Sequence, residues 1–140
     1  FAADLGTGFA IVDKMRVSSE QVLPAALIGE VEGSDVLLVD DMCSTGGTLM
    51  MAAEVCREAG AKKIYAVVTH GLLLGEAIRK LEDSPIEKLW ISNTVPGSDE
   101  IRHPKIETVS IASLLGKVVE RVISAESISC LFSTSEVEMV

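Results

Sequence analysis

The residues with the clearest chemistry lie in one continuous run, residues 36–49. Apolar residues 36–39 lead to two carboxylates, Asp40 and Asp41, and a turn of small residues, 43–48, follows them. The two glycines of this turn allow the backbone to approach an anion closely, and backbone N–H groups and threonine hydroxyls supply hydrogen-bond donors. The run therefore predicts an apolar strand that stops at the carboxylates and a phosphate-binding turn that opens a helix. The carboxylates would then hold the sugar to which the phosphate is attached.

Two commoner phosphate motifs do not fit this run. It lacks the lysine that follows the last glycine of a P-loop, which disfavours a nucleotide hydrolase of that class. Gly6 and Gly8 precede an apolar run instead of following one, so a dinucleotide-binding fingerprint is also disfavoured. The alternative for Asp40 and Asp41 is a structural one, in which the carboxylates only cap the turn that follows them.

Composition narrows the class of protein. The chain has 140 residues, 48% of them hydrophobic, which suits one compact domain with a real core. No apolar stretch approaches the roughly 18 residues that a membrane span requires, and a net charge of -9 opposes non-specific binding of nucleic acid. Three cysteines without paired spacing support neither a disulfide framework nor a zinc site, so we expect a cytoplasmic protein. The first residue, Phe1, leads us to expect part of a longer protein.

Apolar runs and helical spacing alternate along the chain and predict the elements that position the turn. We predict strands at residues 9–12, 25–28, 36–39, 64–68, 89–91 and 106–111, and helices at 49–60, 76–81 and 112–123. This alternation is typical of an α/β fold with a mainly parallel sheet flanked by helices, with the site at the carboxyl ends of the strands. We expect a single domain over residues 1–132 and a polar, acidic tail over 133–140.

The run at residues 40–48 resembles the ribose-phosphate motif of the type I phosphoribosyltransferase fold. Other motifs narrow the resemblance to the carboxyl-terminal half of the ribose-phosphate pyrophosphokinase family. Residues 13–16 look like its catalytic Lys-x-Arg loop, and three later motifs follow in the family's order at residues 68–71, 92–96 and 126–132. The family forms phosphoribosyl pyrophosphate (PRPP) from ATP and ribose 5-phosphate, and its amino-terminal half supplies the ATP loops and the residues that hold Mg²⁺. We expect no metal ligands in this chain, and because nothing in it resembles the ATP loops, we expect no pyrophosphokinase activity from the chain alone.

The resemblance implies roles for particular residues. Asp40 and Asp41 would bind the ribose hydroxyls, and the 5-phosphate would lie on the turn formed by Ser44, Thr45, Gly46, Gly47 and Thr48. Lys14 and Arg16 would be catalytic, because they would neutralise charge on the transferred phosphoryl group. One departure is Ser44, where the family often has aspartate, and this leaves the role of that side chain open.

The carboxyl-terminal motif implies regulation. Ser127, Ser129 and Phe132 match positions of a phosphate- and ADP-responsive site between subunits, and a packed terminal turn is the alternative. The resemblance also implies homo-oligomers, as dimers built into hexamers. His70 is expected near the site without a catalytic role, and His103 without any chemistry. The thiol of Cys43 is expected to be a bystander, because no paired histidine is identifiable.

Two other classes of function stay open. One is a phosphoribosyltransferase that consumes PRPP, although the chain has few aromatic side chains to stack on a base. The other is a sugar-phosphate-binding or regulatory module without catalysis.

Overall fold

The computed structural model describes residues 2–13 and 26–132, and these form an α/β fold as predicted. In chain order the elements are α1 (Ala2–Leu5), β1 (Ile11–Asp13), β2 (Ala26–Ile28), β3 (Asp35–Cys43), α2 (Gly47–Glu58), β4 (Lys63–Gly71), α3 (Ala77–Asp83), β5 (Ile86–Ser92), a 3-10 turn (Ser98–Glu100), β6 (Ile106–Val109), α4 (Ala112–Ile123) and a second 3-10 turn (Ser129–Phe132). Lys14, Arg16 and the tail at residues 133–140 lie outside the described residues.

Four strands form the central sheet, in the order β3-β4-β5-β6, and all neighbours are parallel. This confirms the predicted sheet. Strands β1 and β2 form a separate antiparallel ribbon, in which Val12 pairs with Leu27. Parallel neighbours must be joined by a crossover connection. Helix α2 forms the crossover from β3 to β4, and α3 forms the crossover from β4 to β5.

One face of the parallel sheet packs against α2 and α3. Its core is made of side chains from β4 and β5, among them Val68, Leu89 and Ile91, together with residues of both helices such as Ala53 and Leu81. On the other face of β3, Leu37 and Val39 are 45% and 46% exposed. The buried face anchors the crossover helices and so fixes where α2 begins.

The ends of the two crossover helices show why the chain turns where it does. After α2, the N–H of Gly60 bonds to the carbonyl of Arg57 and the N–H of Ala61 to that of Cys56, which is a Schellman ending with Gly60 at φ 85°. After α3, the ammonium of Lys105 donates to three carbonyls at 3.0 Å, those of Leu81, Glu82 and Ser84. A cation at this end also complements the helix dipole.

The chain groups into two compact units, one of residues 8–109 and the other of residues 1–7 and 110–140. The first unit holds the parallel sheet and the turn after β3. In the second, α4 has the predicted bounds, and its apolar residues are exposed, Val122 by 65% and Ile123 by 80%. The single domain over residues 1–132 stays a prediction.

Candidate functional site

The two carboxylates lie within strand β3 and not beyond its end. The prediction that the strand stops at Asp40 was too short, because β4 continues alongside as far as Gly71, and Met42 and Cys43 pair with His70 and Gly71. The Asp41 amide donates to the Asp40 carboxylate at 2.9 Å. The ladder therefore holds the backbone of both acids at the carboxyl end of the sheet.

The turn after β3 leads directly into the first turn of α2. Gly46 is the N-cap residue with φ 76°, a left-handed conformation that favours glycine, and its carbonyl accepts the N–H of Met50 at 3.0 Å. Gly46 has no side chain with which to cap the helix, and a Cβ added at Gly47 would meet no atom within 4 Å. The N-terminal amides of a helix lack intrahelical partners and favour anions. The backbone thus provides donors and open space at the same point.

The carbonyls of the turn, in contrast, are paired with the segment that follows β4. The N–H groups of Leu73 and Leu74 donate to the carbonyls of Cys43 and Ser44 at 3.1 and 2.8 Å. The ammonium of Lys80 donates to the carbonyl of Thr45 at 3.2 Å. Three successive acceptors that would repel an anion are therefore bonded to residues 73–80, which we call the buttress segment.

Leu73 adopts an unusual conformation within the buttress segment. Its φ is 46°, a value that side chains other than glycine rarely adopt, and the side chain is only 9% exposed. Such a conformation persists where the surroundings determine it, and it is common near functional sites. Here burial of the side chain holds the Leu73 N–H on the Cys43 carbonyl.

Cys43 is enclosed where the strand meets the turn. The residue is 2% exposed, and burial, together with the negative charge of Asp40, raises the pKa of its thiol against an opposing hydrogen bond from the Gly46 backbone. A thiol with a raised pKa is a weak nucleophile at neutral pH. The geometry therefore favours a packing role for Cys43, in line with the sequence interpretation.

Two of the quoted motifs meet at the carboxyl ends of β4 and β5. The hydroxyl oxygens of Ser92 and Thr94 lie 2.6 and 3.0 Å from the Thr69 carbonyl oxygen, and Nδ1 of His70 lies 2.8 Å from the Thr94 hydroxyl oxygen. The Thr94 hydroxyl therefore lies between the Thr69 carbonyl and the His70 imidazole, and the His70 tautomer sets which of them takes its proton. His70 also pairs with Met42 in the sheet, so it lies at the carboxyl end of the strands, as the turn does.

The structure groups the predicted site residues only in part. Asp40, Asp41 and the turn residues 44–48 are brought together, whereas Ser127 and Ser129 lie in the other compact unit, where Arg121 donates to the Ser127 carbonyl at 3.1 Å. The roles of all these residues stay predictions. Sequence reasoning did not identify Leu73 or Lys80, and only the position of Lys80 on a predicted helix gave any signal.

The donor set bears on Mg²⁺, which prefers oxygen ligands and commonly retains waters and substrate phosphates. Asp40 and Asp41 supply carboxylate oxygens, but within residues 2–13 and 26–132 no group of three or more potential His, Cys, Asp or Glu ligands is found. Such a site fits Mg²⁺ only in company with the phosphates of a substrate.

Among the described helices, none is long and apolar enough to cross a membrane.

Comparisons with known proteins match nearly the whole chain. Residues 10–133 match the model of the phosphoribosyl synthetase-associated domain. A ribose-phosphate pyrophosphokinase of Chlorobaculum tepidum is 41% identical over 98% of this chain and 42% of its own length. Ribose-phosphate pyrophosphokinase A of Dictyostelium discoideum is 42% identical over 94% of this chain and 42% of its own length.

A solved structure agrees with these relatives. The phosphoribosylpyrophosphate synthetase from Mycobacterium smegmatis superposes with a TM-score of 0.77 at 32% identity, covering 89% of this chain and 40% of that one. The chain thus spans about two fifths of the length of the proteins it matches. The resemblance inferred from the motifs is confirmed, and the chain belongs to the phosphoribosyl synthetase-associated domain family.

Proposed function

We propose that this chain is the ribose 5-phosphate-binding part of a ribose-phosphate pyrophosphokinase, which converts ATP and ribose 5-phosphate to AMP and PRPP. One observation carries the proposal. In a member of this family, helix α2 begins at Gly47, where an added Cβ would meet open space, and two carboxylates precede it at the carboxyl end of β3.

The 5-phosphate would lie on the amides and hydroxyls of residues 44–48. A helix N-terminus stabilises a negative charge by about 0.3–1 kcal/mol when exposed and by more when partly buried. The paired carbonyls of Cys43, Ser44 and Thr45 support this placement, because they are bonded away from the anion by the buttress segment. The phosphate would thus fix one end of the sugar.

The ribose hydroxyls would donate to Asp40 and Asp41. Hydrogen bonds to a carboxylate are roughly twice as strong as neutral ones, and the two acids stand at successive positions near the carboxyl end of β3. With both ends of the sugar held, the C1 hydroxyl is aimed at its phosphoryl donor, and positioning of this kind is a large part of phosphoryl-transfer catalysis.

Transfer itself would use groups beyond the described site. Lys14 and Arg16 would neutralise charge on the transferred diphosphoryl group, an assignment that rests on the family resemblance alone. Mg²⁺ would neutralise the phosphates of ATP, with ligands mainly outside this chain. We also propose that the protein forms homo-oligomers, that it is cytoplasmic, and that Ser127, Ser129 and Phe132 have a regulatory role.

Calorimetry with two ligands tests the site. We expect the 140-residue chain to bind ribose 5-phosphate, and the double variant Asp40→Ala, Asp41→Ala to bind it at least about tenfold more weakly, since hydrogen bonds to charged groups contribute about 1.5–3 kcal/mol each. Its affinity for inorganic phosphate should stay the same or rise, because two negative charges are removed. A matched control, Asp35→Ala with Glu58→Ala, removes two acids at the far ends of β3 and α2 and should change neither affinity appreciably.

Equal losses for both ligands would contradict the assignment of the carboxylates to the sugar. A second measurement addresses catalysis, since AMP should not form when the chain alone is incubated with MgATP and ribose 5-phosphate. Formation of AMP would show that the chain carries its own ATP site.

A further inference from the structure

Lys80 joins helix α3 to the phosphate-binding turn. It lies in the last turn of α3, its backbone N–H bonds to the Glu76 carbonyl at 2.9 Å, and its ammonium donates to the Thr45 carbonyl at 3.2 Å. An ammonium has three donors, and this bond uses one of them. A positive charge is therefore held beside Thr45 of the turn.

The charge around the turn makes that cation consequential. The chain carries a net charge of -9, and Asp40 and Asp41 stand three and two residues before the start of the turn at Cys43. A sugar phosphate with close to two negative charges would approach these carboxylates against repulsion, which backbone dipoles alone offset only partly. A cation bonded to the turn lowers this repulsion for a phosphate and has little effect on an uncharged sugar.

We propose that Lys80 is a positioning and specificity residue of the sugar-phosphate site, an inference that rests on the proposed function. Its hydrogen bond holds the Thr45 carbonyl away from the anion, and its charge favours phosphorylated over unphosphorylated ribose. The role is electrostatic, so it should weaken as salt shortens the screening length from about 30 Å at about 0.01 M to about 3 Å at about 1 M.

Three substitutions separate charge from hydrogen bonding. Lys80→Met removes both, Lys80→Gln keeps a donor without the charge, and Lys80→Arg keeps both. Lys63→Met is the control for net charge, because Lys63 begins β4, roughly 27 Å along the strand from Gly71 at the site edge. The thermal unfolding midpoint of each variant is measured first and compared with that of the parent chain, so that only folded variants enter the binding assay.

We expect calorimetry at about 0.01 M salt to show ribose 5-phosphate and inorganic phosphate binding about five- to tenfold more weakly to Lys80→Met and Lys80→Gln. The difference should fall below about twofold at about 1 M salt. Lys80→Arg and Lys63→Met should both stay within about twofold of the parent chain in either buffer. A purely structural role predicts instead that Lys80→Gln restores affinity and that salt leaves the losses unchanged.

The outcomes are distinguishable from failure of the proposed function. If the parent chain binds ribose 5-phosphate and Lys80→Gln binds it equally well at low salt, the charge role is overturned and the site assignment stands. If the parent chain binds no ribose 5-phosphate, both proposals fall together. Should Lys80→Met unfold, the comparison of Lys80→Gln with Lys80→Arg decides the question.

Discussion

Substitution of the two adjacent glycines should separate the folding of the turn from its binding of an anion. At Gly46 the φ of 76° strains any side chain, and an added Cβ would lie 3.2 Å from Cε of Met50. A residue other than glycine in this conformation costs about 1–2 kcal/mol, while the methionine end is flexible and can shift by a few tenths of an ångström. We therefore expect Gly46→Ala to lower the free energy of unfolding by about 1–2 kcal/mol.

Gly47 provides the matched comparison. It is the first residue of α2, and a Cβ there would enter open space. Alanine is the better helix former by up to about 1 kcal/mol, so Gly47→Ala should leave stability unchanged or raise it. The new methyl group would, however, occupy the space in which we place the phosphate, so the affinity for ribose 5-phosphate should fall about tenfold or more, the equivalent of about 1.4 kcal/mol.

Urea unfolding and calorimetry on the same two variants decide the matter. A Gly46→Ala variant as stable as the parent chain would refute the argument from backbone strain. A Gly47→Ala variant that binds ribose 5-phosphate with parental affinity would refute the placement of the phosphate against the first turn of α2. The two results are independent, since one measures the fold and the other the ligand.

Three further predictions concern the framework around the site. Lys105→Met should lower the free energy of unfolding by about 1–3 kcal/mol, because the carbonyls of Glu82 and Ser84 lose the ammonium, while that of Leu81 keeps the Ser84 hydroxyl; an unchanged urea midpoint would contradict this. Gly71→Ala should cost about 1–3 kcal/mol in the same assay, since its Cβ would lie 2.7 Å from Cγ2 of Ile91. Adding Ile91→Ala should then cost less than in the parent chain, and strict additivity would argue against the clash. Burial raises the pKa of Cys43 and of Cys56 above 9.0, so the native state keeps protons that the unfolded chain loses. That stabilisation is complete below pH 9.0 and is lost as pH rises through the raised values. The free energy of unfolding of the parent chain should therefore fall more between about pH 8 and about pH 10.5 than that of the double variant Cys43→Ala, Cys56→Ala. Equal losses in the two proteins would contradict a role for the buried thiols.

Local patterns were enough to predict the elements that carry the site. The apolar runs at residues 36–39 and 64–68 both lie inside observed strands, β3 and β4, and in the other compact unit residues 112–123 form a helix with the predicted bounds. These features depend on side-chain periodicity over a few neighbouring residues, which a sequence displays directly. The end of α2 could be predicted from local sequence for a similar reason, because its C-terminal turn needs a left-handed residue and Gly60 supplies it.

The lengths of the strands and the support of the turn could not be predicted in this way. Strand β3 extends through Cys43 because β4 pairs with it as far as Gly71, and no local feature of residues 40–43 shows that pairing. The bond from Lys80 to Thr45 spans 35 residues, and the contact of His70 with Thr94 spans 24. A left-handed Leu73 contradicts local propensity and is adopted only because the tertiary structure buries it.

These non-local bonds bear on what the motif can do by itself. Residues 40–48 carry the donors, but the same turn carries the carbonyls of Cys43, Ser44 and Thr45, and the buttress segment bonds all three. Moved onto another strand and helix, the motif would keep its glycines and hydroxyls while its carbonyls lost their partners. Without those partners, the carbonyls could point toward the bound anion, and each unpaired carbonyl buried away from water would cost free energy comparable to a lost hydrogen bond. If the turn binds the phosphate as proposed, its selectivity for an anion depends on residues 73–80 as well as on the motif.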